Sequence, residues 1–170
     1  MKHRGKMNQQ LAKSAQSIQE ALNIAGLTCK VLELPNSTRT ANDAAISIGC
    51  SISQIEKSLI FKTKDTAKPT LVLVSGSNKV DEKKIESYAK EGIIKADADF
   101  TRKITGFAIG GIPPIGHKTP IDLIFIDQDL LALDEVWAAA GTPNAVFCIK
   151  SKDLLKITNG QVVSIPNSKQ

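Results

Sequence analysis

The stretch TGFAIGGIPPIGH, residues 105–117, concentrates four glycines, Gly106, Gly110, Gly111 and Gly116, and two adjacent prolines, Pro113 and Pro114. It contains no Ser, Cys, Asp or Glu. Glycine opens backbone conformations closed to other residues and proline fixes φ, so such a loop works through its main chain. The amides of Gly110 and Gly111 carry no side chain to hinder a ligand, and Pro113 and Pro114 would hold them in place. Amides held this way can donate to a carbonyl oxygen that turns negative during acyl transfer. The competing reading is a rigid crossover between strands, and spacing alone does not choose. The second feature is Lys57 in QIEKSLIF, a charge at the mouth of an apolar strand. It reads either as a lysine snorkelling to water or as a functional cation.

Other chemistries fail on their patterns. No G-x-S-x-G elbow occurs, and VSGSN (74–78) is the nearest Ser/Gly cluster. GGIPPIGHK spaces Gly111 and Gly116 like a phosphate loop, but His117 and Lys118 break the pattern and the prolines remove amide donors. No dinucleotide fingerprint is present. Asp122, Asp127, Asp129 and Asp134 lack the EF-hand order and read as strand-end and turn residues in water. Cys29, Cys50 and Cys148 are odd in number and widely spaced, with no zinc-type pattern, so they read as free thiols. Only His3 and His117 exist as imidazole partners. His117 reads first as a loop anchor and second as a catalyst. No metal or cofactor is expected.

The elements that must position these residues follow from apolar periodicity. Helices are predicted at 9–25, 37–49, 80–92, 96–106 and 151–158. Thr40 caps the second, Asp97 or Asp99 the fourth and Ser151 the last. Strands are predicted at 28–34, 57–63, 69–76, 120–127, 135–141, 145–150 and 161–165, the second and third forming a hairpin. Helices and strands mix without strict βαβ alternation. This argues for α+β with a mixed, strongly curved sheet.

The 170 residues suit a single domain, with 1–8 and 166–170 as loose ends. At 42% hydrophobic and 23% charged the chain can build a core, and 4% aromatic makes that core aliphatic. A net charge of +5 is compatible with a polyanionic partner without requiring one. No stretch is long and apolar enough for a membrane span, and the basic start lacks the apolar run of a signal peptide, so a cytoplasmic location is expected.

Several blocks occur in order: RTANDAA (39–45), IEKSLIFK (55–62), LVLVSGSNKVDEKK (71–84), TGFAIGGIPPIGH (105–117) and WAAAGTPNAVF (137–147). Together they resemble the YbaK/prolyl-tRNA editing-domain family, in its freestanding form, from about residue 10 to residue 165. The resemblance implies a barrel-like mixed sheet surrounded by helices. It implies hydrolysis of the ester joining a wrong amino acid to the 3′ end of a tRNA, typically tRNA(Pro), without a metal. In the family a G-x-x-x-P loop, here Gly110 to Pro114, holds the ester through its backbone. The catalytic positions implied are Lys57, which would anchor the terminal adenosine's phosphate, and Gly110. The substrate-binding positions are Gly111, Ile112, Pro113, Pro114, Gly116, His117, Ala139 and Gly141. Water attacks, assisted by the tRNA's own hydroxyl or by the substrate, so the loop needs no nucleophile.

Cysteinyl-specific relatives carry a Ser before the late glycine and a basic GKRG after it. Here the residues are Ala139, Ala140, Gly141, Thr142, Pro143 and Asn144, which argues against a cysteinyl substrate and points to another subgroup, for which an alanine- or serine-like substrate is the expectation. The implied partners are the tRNA acceptor end and prolyl-tRNA synthetase. The rival readings are a non-catalytic tRNA- or synthetase-binding module on the same fold and a hydrolase of free acyl esters.

Overall fold

A computed structural model describes residues 10–167; His3 and the expected loose end at 1–8 lie outside them. The elements are α1 (Lys13–Ile24), β1 (Leu32–Glu33), α2 (Ala41–Ile48), β2 (Glu56–Thr63), β3 (Pro69–Ser75), α3 (Glu82–Ala89), β4 (Ile93–Lys95) and α4 (Ala98–Thr105). They continue as β5 (Leu123–Asp127), α5 (Gln128–Leu131), β6 (Glu135–Ala139), β7 (Ala145–Lys150), α6 (Ser151–Thr158) and β8 (Gln161–Val163).

Local chemistry accounts for most of the boundaries. On α1 the buried positions Ala15, Ile18 and Leu22 recur at helical spacing. The Thr40 hydroxyl accepts from the Asp43 N–H at the start of α2, and the Asp97 carboxylate from the Phe100 N–H at the start of α4. Ser151 does not cap α6: Lys150 takes that place, and the Ser151 hydroxyl donates to the Leu133 carbonyl instead. The short strand β4 was not predicted. Its three residues carry little periodicity, and it forms because Ile93–Lys95 completes one edge of β2. The chain is tied in through its last described residues, with Val80 bridged to Pro166 and the Asn167 N–H donating to the Lys79 carbonyl.

The architecture is α+β, and the expected single sheet is divided in two. One sheet has the order β1-β7-β6 and is antiparallel; the other is mixed, with the order β4-β2-β3-β5-β8. β4 occupies the second edge of β2 only at Phe61–Thr63, and β6 meets the chain just ahead of β2, where Trp137 bridges Ile55. The sheets meet at that point and no closed barrel forms among the described residues.

The five-stranded sheet is covered on both faces. Ile60, Leu71, Leu73 and Ile126 face α1 and the three-stranded sheet. Phe61, Val72, Val74 and Phe125 pack with Ile85 of α3 on the other face. Any polar side chain on β2 is therefore forced into the interior or to a strand end.

Candidate active site

A cavity of about 270 Å³ opens where the two sheets meet. Its walls are α2 (Ala41, Ala44, Ile48), β2 (Glu56, Ser58, Ile60), β6 (Trp137, Ala139) and the glycine-proline loop (Ile109, Gly110, Ile112). Arg39 and Lys95, both exposed, also line it.

Gly110 stands at φ +102°, a conformation that favours glycine. A methyl there would meet Arg39 Cγ at 3.4 Å, so the arginine stem lies directly over it. Among the described residues none accepts from the Gly110 N–H. Gly111 is different. Its N–H closes a turn onto the Ala108 carbonyl at 3.2 Å, so the second donor expected from the sequence is spent inside the loop. Its carbonyl accepts from the Gly141 N–H at 2.9 Å, and a Cβ on Gly111 would lie 2.8 Å from the Thr142 carbonyl carbon. Gly111 thus lets the loop dock on the β6–β7 turn.

Ile112 on the wall and Pro113 and Pro114 behind it are buried, and His117 Nε2 lies 2.8 Å from the Pro113 carbonyl oxygen. Because a carbonyl only accepts, that nitrogen carries the proton. Burial holds the His117 imidazole below its ordinary range, against the opposing pull of the Pro113 carbonyl. Gly116 packs against Ile18, and Gly141 against Phe107. Of the positions singled out in the sequence, Lys57, Gly110, Ile112 and Ala139 line the cavity. Gly111, Pro113, Pro114, Gly116, His117 and Gly141 form the frame behind it.

Alternation along β2 separates Lys57 from its neighbours. Lys57 pairs with Val74 on the α3 face, whereas Glu56, Ser58 and Ile60 pair with Ser75, Leu73 and Leu71 on the other. The half-buried Lys57 Nζ donates to the Asn78 carbonyl at 3.1 Å. Burial lowers its pKa, nearby Lys79 adds to this, and Asp127 opposes it. The Asn78 amide bonds Asp127 and Asp129 at 2.8 and 2.9 Å, and Asp127 also accepts from the Ser75 N–H. Asp127 is fully buried, so it is a structural acceptor and not the solvated strand-end acid expected.

Sequence reasoning missed Glu56. It is 3% exposed, Ser58 Oγ donates to its Oε2 at 2.8 Å, and its Oε1 has no partner among the described residues. Burial pushes its pKa up to about 8, and the Ser58 bond offsets only part of this. The signal was present in IEKSLIF, since a strand buried on both faces must take its glutamate inside.

The cysteines are free and partly buried, and burial raises all three thiols, Cys148 to about 11. A raised thiol is a poor nucleophile at neutral pH. Among the described residues no group of three or more His, Cys, Asp or Glu is arranged to hold a metal ion. No helix among them is long and apolar enough to cross a membrane.

With the loop and cavity placed, the chain is assigned by likeness: it belongs to the aminoacyl-tRNA editing domain family, whose profile matches residues 35–157. It is 37% identical over 95 residues to a proline–tRNA ligase of Limosilactobacillus fermentum, covering 54% of this chain but 16% of the ligase. It is 28% identical to the uncharacterized protein YwhH of Bacillus subtilis, over 78% of this chain and 83% of that one. A crystal structure of a candidate trans-editing enzyme for prolyl-tRNA synthetase superposes with a TM-score of 0.88 at 43% identity, over 94% of this chain and all of the other. The chain therefore spans only a small part of the ligase but the full length of the solved relative.

Proposed function

We propose that this protein hydrolyses, in trans, the ester of a small mischarged amino acid, alanine or serine, on tRNA(Pro). The observation that carries the reading is the unclaimed Gly110 N–H on the wall of an apolar cavity, held by a loop docked through Gly111 and His117. A donor so fixed needs no reorganisation as the ester carbonyl gains charge, which is where amide catalysis draws its strength. Ala44, Ala139 and Trp137 shape a wall for a short side chain. Arg39, Lys95 and Lys57, which all line the cavity, supply positive charge for the terminal phosphate of the tRNA. Water is the attacking group, activated by the substrate's own hydroxyls, and the chain contributes positioning and charge without a metal.

Alanyl-tRNA(Pro) and alanine methyl ester, each at low and raised salt, form the test. The tRNA ester is hydrolysed far faster, and its advantage shrinks with salt as phosphate contacts weaken. Equal rates on both would make the protein a free-ester hydrolase, and binding without turnover would make it a non-catalytic module.

A further inference from the structure

Glu56 has no part in the hydrolysis proposed for this site, yet among the described residues it is the one acidic side chain on the cavity wall. It is buried, one of its oxygens is held by Ser58 and the other has no partner among the described residues. A buried, half-satisfied carboxyl destabilises a fold unless something pairs with it, and native interiors rarely leave such an atom orphaned. Lys57, its neighbour in sequence, cannot fill the role, because it projects from the opposite face of β2 and is engaged by Asn78. The remaining charges on the wall are Arg39 and Lys95, both exposed, and neither bonds Glu56.

We infer that Glu56 is the receptor for the free α-ammonium group of the aminoacyl ester, so the site accepts α-amino esters and refuses N-acylated ones. The inference rests on the proposed deacylase reading and names its substrate class more narrowly. Gly110 donates to the ester carbonyl, and the ammonium, one carbon away from that carbonyl, reaches the β2 wall of the same cavity. The free carboxyl, raised to about 8 by burial, is largely protonated at neutral pH. On pairing it releases its proton to solvent and the ion pair forms inside, where charge-assisted hydrogen bonds are strong. Ser58 fixes the carboxyl's orientation for this contact. An N-acylated amine offers no positive charge, leaves Glu56 unpaired and adds bulk.

The test is binding rather than turnover. The probe is adenosine carrying alanine through a 3′-amide, with its amine either free or acetylated, titrated calorimetrically into the full chain at pH 7. Wild type is expected to bind the free amine roughly 10- to 100-fold more tightly, the worth of one hydrogen bond to a charged group. Glu56→Gln, nearly isosteric, should lose that preference while its affinity for the acetylated probe stays the same. Equal binding of both probes by wild type, binding of neither, or an undiminished preference in Glu56→Gln would each overturn the assignment. The wild-type comparison needs no variant to fold. A wild type that shows the preference but hydrolyses no tRNA ester would leave the Glu56 assignment standing and remove only the deacylase reading.

Discussion

His117 and Pro113 are joined by a hydrogen bond of 2.8 Å across one turn of the glycine-proline loop. The imidazole holds the loop backbone from behind and does not line the cavity. His117→Gln keeps a donor of similar reach and is expected to retain most of the single-turnover rate. His117→Ala is expected to loosen the loop and relax discrimination between small amino acids. A general base would behave otherwise, both variants losing roughly 10²–10⁴-fold. A rate that falls that far in both variants contradicts the buttress.

The imidazole also sets a stability trend. Its pKa is depressed in the folded protein, so its contribution is present above the unfolded value of 6.5 and lost as pH falls through the folded one. Glu56 acts in the opposite direction. Its folded pKa of about 8 lies above the unfolded 4.5, so its contribution is present below 4.5 and lost as pH rises through 8. Glu56→Gln should therefore raise the Tm at pH 8 more than at pH 5. Melting curves for wild type and variant that run parallel across that window would contradict the buried, protonated carboxyl.

Adjacent glycines should fail in different ways. Gly111→Ala puts a methyl 2.8 Å from the Thr142 backbone and breaks the docking of the loop, so stability falls. Gly110→Ala meets only the Arg39 stem at 3.4 Å, though φ +102° adds strain of about 1–2 kcal/mol. Its main effect is to misplace the free donor, and loss of such a donor typically lowers the rate by ~10²–10³-fold. Thermal melts and single-turnover rates on both variants separate the two. A Gly110→Ala protein of full activity would return the loop to a simple crossover.

Lys57→Ala is expected to abolish deacylation and also to lower the Tm, because it strands the Asn78 carbonyl. Lys57→Arg keeps the charge and should recover binding of tRNA more than rate. A Lys57→Ala protein with near-normal turnover would leave Arg39 and Lys95 as the cations that matter.

Much of this site was legible from residue types. The caps at Thr40 and Asp97, the β2–β3 hairpin and the loop all follow from local patterns that the structure repeats. What could not be read was set by pairing at a distance. β4 exists only because β2 has a vacant edge, and β1 shrank to Leu32–Glu33 because β7 pairs only there. The choice of Lys57 over Glu56 shows the same limit. A lysine at a strand mouth is conspicuous, whereas the importance of its neighbour depends on both sheet faces being covered. Likewise, two adjacent glycines look equivalent until the turn onto Ala108 takes one amide and leaves the other.

The function proposed for this loop and cavity is to clear a wrong amino acid from tRNA(Pro). It is tested most directly with tRNA(Pro) charged separately with alanine, serine, cysteine, threonine and proline, each incubated with the protein under single-turnover conditions. Rapid loss of the alanyl or seryl ester is expected, while prolyl-tRNA(Pro) persists at its spontaneous rate. Loss of no ester beyond the spontaneous rate, or equal loss of all five, would contradict it.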